Sequence, residues 1–331
     1  MVTIGINGFG RIGRLVVRAL YEYGIKDIQL KAINTRSNTD SSAHLLKYDS
    51  AHQIFQADIQ TKNDVMMING DPIQMSHEAN PENIDWAGMG VDIVMECSGK
   101  FRTKTEASLH FKGGAKKVIL SAPGTDVDAT IVVGVNDHVL QADHKVISCA
   151  SCTTNCLAPL AKILEEELGI AYGFMTTIHA YTGDQNLVDS SHKDLRRARA
   201  AAQNIIPTST GAAQAVALVL PALEGKLDGT SLRVPTQNVS LVDLTFTAKT
   251  KISADGVNAM MKAASVGALK NIIAYCDTPL VSSDFNHHPA SAIFDASGTK
   301  VMGENLVRIM AWYDNEWGFS NRMIDLARLA A

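Results

Sequence analysis

Val2-Thr3-Ile4-Gly5-Ile6-Asn7, Gly8-Phe9-Gly10-Arg11-Ile12-Gly13 and Arg14-Leu15-Val16-Val17-Arg18-Ala19-Leu20 follow one another at the start of the chain, and their order decides the fold. The first run reads as a short buried strand, the second as a glycine-rich turn, and the third as the start of an amphipathic helix reaching Tyr23. A second apolar run, Ile28 to Asn34, completes a strand–turn–helix–strand unit long enough for parallel pairing through a helical crossover. Gly8, Gly10 and Gly13 fit the pattern G-x-G-x-x-G. In it, the first glycine permits a tight turn, the second lets a pyrophosphate approach the backbone, and the third lets helix and strand pack closely. The pyrophosphate then rests on unpaired N–H groups at the helix N-terminus. A glycine triplet alone can be no more than a tight turn. Its place between a strand and a helix makes dinucleotide binding the stronger reading.

Further apolar runs at 91–96, 117–121, 130–135 and 146–148 extend this into a doubly wound sheet whose strands are apolar on both faces. After Ser151 the pattern changes. Thr153 to Leu168 reads as a helix, and Tyr172–Ala180, Val239–Lys249 and Leu306–Tyr313 read as longer strands with mixed polar faces. The expected architecture is therefore α/β: an N-terminal doubly wound, Rossmann-type parallel sheet, then an α+β catalytic domain with a mixed or antiparallel sheet. The boundaries expected are 1–151 plus the C-terminal helix 316–331 for the first domain and 152–315 for the second.

The 331 residues suit two domains, and a net charge of −4 with 19% charged residues offers no polyelectrolyte face for nucleic acid. No window reaches the run of about 18 apolar residues that a membrane helix needs, and the N-terminus opens into a strand instead of a secretory signal, so a cytoplasmic location is expected. Five cysteines, an odd number in a long chain, favour buried or reactive thiols over a disulfide framework.

Ser148-Cys149-Ala150-Ser151-Cys152-Thr153-Thr154-Asn155-Cys156 sits where a strand gives way to a helix. A thiol at a helix N-terminus feels the positive end of the macrodipole, which favours the thiolate and makes Cys152 a candidate nucleophile. Cys97, Cys156 and Cys276 read as buried structural residues. Zinc fits poorly, since no second Cys/His pair with ligand spacing is present, and no metal is expected. Cys149-Ala150-Ser151-Cys152 is also C-x-x-C, which leaves a redox reading open, although that reading gives the glycine turn no task.

Six segments resemble the glyceraldehyde-3-phosphate dehydrogenase family: Asn7 to Arg14, Ala150 to Pro159, His179 to Gln185, Ile206 to Ala213, Arg233 to Thr236, and Trp312 to Glu316. They run nearly end to end. The resemblance implies phosphorylating oxidation of glyceraldehyde 3-phosphate to 1,3-bisphosphoglycerate with reduction of NAD or NADP, through a hemithioacetal and then a thioester on Cys152. It makes His179, 27 residues after Cys152, the partner of the thiol, a neighbouring imidazolium that stabilises the thiolate and then accepts the hemithioacetal proton. A lone strand histidine would otherwise read as a satisfied core residue. By the same resemblance Thr182, Asp184 and Arg233 line the substrate-phosphate site, and Ser151, Thr153, Arg197, Thr210 and Gly211 the inorganic-phosphate site. Arg11 and Ile12 supply backbone and apolar contacts to the dinucleotide, Ser121 lies near the nicotinamide ribose, and Asn315 bonds the nicotinamide carboxamide. A homotetramer is implied too, with the 190–199 loop of one subunit reaching a neighbour's cofactor.

Two departures from the family pattern carry expectations. Cys149 stands where asparagine is common, and a Cys149–Cys152 disulfide under oxidation would silence the enzyme. The second β-strand ends Asn34-Thr35-Arg36-Ser37, without the carboxylate that binds the free ribose hydroxyls of NAD and repels the 2′-phosphate of NADP. Thr35, Arg36 and Ser37, together with Ser191 in place of a proline, make NADP the expected preference, with NAD as the alternative. Rival readings are an erythrose-4-phosphate dehydrogenase and, in a different class, a catalytically inactive binding protein on the same fold.

Overall fold

A computed structural model describes residues 1–331 as two compact units. The first comprises Met1–Val133, Asp137–Ser151 and Ser320–Ala331, and the second Gly134–Asn136 and Cys152–Phe319. No helix is long and apolar enough to cross a membrane.

In the first unit the elements are β1 (Val2–Asn7), α1 (Arg11–Glu22), β2 (Ile28–Asn34), α2 (Thr39–Lys47), β3 (Tyr48–Asp49), β4 (Gln53–Ile54), β5 (Ile59–Lys62), β6 (Val65–Ile68), β7 (Asp71–Ser76), β8 (Ile93–Glu96), α3 (Lys104–Ala107), β9 (Lys117–Leu120), β10 (Ala129–Thr130) and β11 (Val146–Ser148). Nine strands form one sheet in the order β10-β11-β9-β8-β1-β2-β7-β6-β5. Every pairing from β10 to β7 is parallel, and β5 to β7 add an antiparallel edge. The strand order reverses between β1 and β8, so the carboxyl ends of these two strands frame the crevice where such sheets bind ligands.

Two local expectations are corrected. Helix α1 starts at Arg11, not Arg14, because Gly10 supplies an extended N-cap with φ −80° and ψ −154°. The 130–135 run pairs only at its start, where β10 ends at Thr130 and the Ile131 amide makes a last bond to the Ser148 carbonyl of β11 at 2.9 Å. The β5–β7 meander was not read from the sequence. Its signal is Asn69-Gly70, both at positive φ (50° and 90°), the residue pair that a tight hairpin turn favours.

The second unit holds α4 (Cys152–Leu168), β12 (Ile170–Ala180), β13 (Ile206–Ser209), α5 (Ala212–Val219), β14 (Leu227–Val234), β15 (Ser240–Ala248), α6 (Ala254–Val266), β16 (Ile273–Cys276), β17 (Ala292–Met302), β18 (Leu306–Tyr313) and the start of α7 (Trp317–Ala330). Its seven strands run β13-β14-β12-β15-β18-β17-β16. The sheet is mixed, with β12/β14 and β16/β17 parallel and the remaining pairs antiparallel. Residues 134–136 and 316–319, placed with the first domain from sequence, pack here. Gly134 lies against Leu269 and Ile272, Trp317 stacks on His287, and the Asp314 carboxylate accepts the amides of Glu316 and Trp317.

Gly8 and Gly10 differ in what they tolerate. Gly8 has φ +94°, and a Cβ there would lie 2.4 Å from the Ser98 amide nitrogen, whereas a Cβ at Gly10 would meet no atom within 4 Å. Gly8→Ala is therefore expected to destabilise the fold by more than about 2 kcal/mol, and Gly10→Ala by less than about 0.5 kcal/mol while still obstructing the ligand groove. Thermal melts with and without dinucleotide check both: Gly10→Ala should melt like wild type without ligand and lose the ligand-induced rise.

Candidate active site

The first unit carries a groove of about 390 Å³ at the carboxyl ends of its strands, lined by Asn7, Gly8, Gly10, Thr35, Arg36, Ser37, Glu78 and Ser98 among others. The glycine turn shapes it. The open space at Gly10 is where a diphosphate can meet backbone N–H groups, and Gly13 packs so tightly that a Cβ would lie 2.3 Å from the Gly8 carbonyl oxygen. These features fit a dinucleotide. The Arg11 side chain turns onto Asp49 in a two-pronged ion pair, so its contribution to the groove is backbone, and Ile12 beside it is half-buried. Burial raises the Asp49 carboxyl, but the Arg11 guanidinium and the amides of His52 and Ala51 outweigh it and hold the group far below the usual carboxylate range. Thr35 is buried and its Oγ1 accepts the Ser37 amide at 3.4 Å, while Arg36 and Ser37 are exposed along the groove. Ser121 donates its amide to the Glu96 carbonyl at 3.0 Å, close to the half-buried Cys97. Ser151 is half-buried between β11 and α4.

In the second unit, Cys152 is the first residue of α4, and its Sγ lies 3.5 Å from His179 Nε2. His179 sits near the end of β12, directly opposite Arg233 in the parallel register with β14. That register places Arg233 Nη1 3.0 Å from the Ala180 carbonyl oxygen, 3.4 Å from Thr182 Oγ1 and 3.0 Å from His179 Nδ1. His179 Nδ1 lies between the Ala180 carbonyl at 2.6 Å, which can only accept, and Arg233 Nη1, which can only donate, while Nε2 is the ring nitrogen that faces Sγ.

Burial and then the nearby Arg233 charge push His179 down to about 3, so the fixed cation beside the thiol is Arg233. Burial pushes the Cys152 thiol up, against the pull of Arg233, the Thr153 hydroxyl and the amides of Thr153 and Cys152. Each group alone is held neutral. Transfer of the Cys152 proton to His179 would create an ion pair whose mutual attraction opposes the burial of both charges.

Other candidates fall into new partnerships. The Thr153 hydroxyl, expected to face phosphate, is 2.8 Å from Tyr313 Oη, and Thr177 Oγ1 lies 2.8 Å from the same atom. Tyr313 is buried and meets the His179 ring edge-on at 5.9 Å. Sequence reasoning missed it, although the alternation of β18 directs Val307, Ile309, Ala311 and Tyr313 inward and leaves a hydroxyl in need of a partner. Arg197 and Asp184, read as parts of two sites, form an ion pair, with Arg197 Nε donating to Thr208 Oγ1 at 2.9 Å. Gly211 is the N-cap of α5, and Thr210 Oγ1 accepts the Ala212 amide at 3.2 Å, which leaves that helix start bare of a larger side chain. Asn315 Oδ1 accepts from Ser240 Oγ at 2.8 Å, and Ser240 Oγ accepts the Ala180 amide at 3.0 Å, so the orientation of the Asn315 amide is tied to the strand end bearing His179. Ser191 is exposed on the 187–199 loop.

A glycine-turn parallel sheet, followed by a mixed-sheet unit in which a half-buried Cys152 and Arg233 flank a buried His179, fits a nicotinamide-dependent dehydrogenase that works through a thiol. Residues 2–104 match the NAD binding domain of glyceraldehyde 3-phosphate dehydrogenase, and residues 151–315 match its C-terminal domain. The chain belongs to the glyceraldehyde-3-phosphate dehydrogenase family. It is 56% identical over 328 residues to the plasmid-encoded glyceraldehyde-3-phosphate dehydrogenase of Cupriavidus necator, covering 98% of this chain and 97% of that one. It is 54% identical over 327 residues to the Pseudomonas aeruginosa enzyme, with the same coverage. Identity to the Geobacillus stearothermophilus enzyme is 51% over 331 residues, all of this chain and 98% of that one.

Proposed function

We propose that this chain oxidises glyceraldehyde 3-phosphate to 1,3-bisphosphoglycerate with inorganic phosphate and NAD or NADP. The observation that carries the reading is His179 Nε2 facing Cys152 Sγ at 3.5 Å, with Arg233 at the other ring nitrogen. His179 Nε2 takes the thiol proton as Sγ attacks the aldehyde carbon, and returns it to the oxygen, giving a hemithioacetal. The bound dinucleotide supplies the hydride acceptor. As hydride leaves the hemithioacetal carbon, Nε2 takes the hydroxyl proton and a thioester remains on Cys152. Phosphate attacks the thioester carbonyl, the sulfur leaves, and the His179 proton goes back to it. The Cys152 backbone N–H is the donor assigned to the developing oxyanion. Arg233 and Thr182 bind the substrate phosphate. Thr210 and Gly211 at the start of α5 bind the attacking phosphate together with Ser151 and Arg197, and Asp184, paired with Arg197, borders the substrate-phosphate site. Thr153 contributes through its amide. Asn315 receives the nicotinamide carboxamide. A steady-state assay tests the whole: turnover of glyceraldehyde 3-phosphate must depend strictly on inorganic phosphate, and dehydrogenation without it would overturn acyl-phosphate formation.

NADP is the preferred dinucleotide in this reading. Thr35 lacks the charge that repels a 2′-phosphate, and Arg36 and Ser37 supply a cation and a hydroxyl along the groove. Losing one charge–phosphate contact is worth about 1.5–3 kcal/mol, so Arg36→Ala should lower kcat/KM for NADP about ten- to a hundredfold and spare NAD. Thr35→Asp should move the preference towards NAD. Equal NADP/NAD ratios in wild type and both variants would sink the assignment.

A homotetramer completes the reading, with Ser191 of a neighbouring subunit near the 2′-phosphate. Tyr172 and Phe174 on the uncovered face of β12 are 67% and 52% exposed, and Leu187 and Leu195 on the 187–199 loop are 80% and 81% exposed, an apolar surface that association would cover. Light scattering that returns a monomer mass would remove this part.

A further inference from the structure

Glu96 ends β8, is 3% exposed, and has no part in the chemistry above. Its Oε2 accepts from Asn7 Nδ2 at 2.5 Å and lies 3.0 Å from His110 Nε2, and its Oε1 accepts the Ser98 amide at 2.7 Å and the Ser98 hydroxyl. The His110 tautomer is fixed from behind. Trp86 Nε1 can only donate, and it lies 3.0 Å from His110 Nδ1, so Nδ1 accepts and Nε2 carries the hydrogen that faces Glu96. His110 is fully buried and cannot exchange either contact for water. Four donors therefore converge on one carboxyl group.

Orientation passes outward from there. With its amide nitrogen on Glu96, Asn7 presents Oδ1 to Asn34 Nδ2 at 2.7 Å. Asn34 in turn accepts the Glu78 amide on Oδ1 at 2.9 Å and donates to the Glu78 carbonyl at 3.0 Å. Asn7 precedes Gly8, Asn34 precedes Thr35, and Ser98 follows β8. All three line the groove, as does Glu78. The strands themselves are held by apolar packing, with Ile4, Ile6, Ile33 and Val94 fully buried, so the polar chain is additional to what pairs them.

We infer that Glu96, oriented by His110, is a positioning residue for the dinucleotide: it sets the turns after β1, β2 and β8 that form the groove walls without itself touching the ligand. This rests on the dinucleotide reading of the first unit. Glu96→Gln places an amide NH2 where only donors converge, opposite Ser98 or opposite Asn7 and His110. The Kd for NAD and for NADP, read by quenching of protein fluorescence, should rise about tenfold for both alike, because the disturbed turns serve the part common to the two. At saturating dinucleotide kcat should stay within about twofold of wild type, a split that general loosening of the fold would not produce. His110→Leu removes a donor and should raise both Kd values several-fold, and His110→Gln, whose amide N–H reaches from the same side, should return them to within about twofold of wild type. Unchanged Kd values in Glu96→Gln, or equal losses in the two His110 variants, would overturn the inference. If Glu96→Gln fails to fold, the His110 pair decides the question. A wild type quenched by neither dinucleotide would instead sink the reading on which it rests.

Discussion

Cys152→Ser is expected to lower kcat for glyceraldehyde 3-phosphate oxidation by about 10⁴-fold or more while leaving dinucleotide binding intact. Three properties of the site depend on sulfur. A thiol in this buried setting can pass its proton to an imidazole 3.5 Å away, whereas a serine hydroxyl, a far weaker acid, cannot do so at comparable cost. Sulfur also leaves readily when phosphate attacks, while an ester on serine would hold the acyl group. The oxidised acyl group stays activated only as a thioester. The measurement is a single-turnover reaction with dinucleotide in excess, read as reduced nicotinamide. Iodoacetamide provides an independent check, since labelling of Cys152 must abolish turnover. Labelled protein that keeps its activity would rule out the covalent route.

His179→Asn should cost about 10²–10⁴-fold in kcat, with a much smaller change in KM, because Nε2 handles protons in each covalent step and binds neither phosphate. The burst of reduced nicotinamide in the first turnover should slow together with the steady state. A variant with normal burst and slow steady state would confine His179 to thioester release. The same substitution has a stability signature. The folded pKa of His179, about 3, is below its unfolded value of 6.5, so the unfolded chain binds the extra proton between these limits. Stability from this group is therefore full above pH 6.5 and falls as pH drops through the window, by about 1.4 kcal/mol per unit. Asparagine does not titrate, so the loss in unfolding free energy between pH 7 and pH 5 should be smaller in His179→Asn than in wild type by about 2 kcal/mol. Urea unfolding at the two pH values would measure it, and equal losses would show that His179 is not held neutral in the fold.

The opening strand, the glycine turn and α1 were legible in the sequence because each is set by backbone geometry over a few neighbouring residues: Gly8 must reach φ +94°, and β1 and β2 need only an apolar run each. Cys152 at a strand-to-helix change was legible on the same grounds, whereas His179 was legible only through resemblance, since a histidine within a strand carries no local signal. Tertiary structure decided the rest. The parallel register of β12 with β14 brings Arg233 beside His179 across 54 positions of sequence, and burial together with that charge pushes the histidine pKa down. Packing of β18 against the start of α4 gives the Thr153 hydroxyl to Tyr313, 160 residues away. The loop between β12 and β13 folds back to join Arg197 with Asp184, and Glu96 gathers donors from Asn7 and His110 that no periodicity relates. A motif can announce which atoms are present, because residue identity and local backbone conformation travel together along the chain. Which of those atoms carries a proton, and which partner it faces, is a property of desolvation and through-space charge that exists only after distant strands have been brought into register.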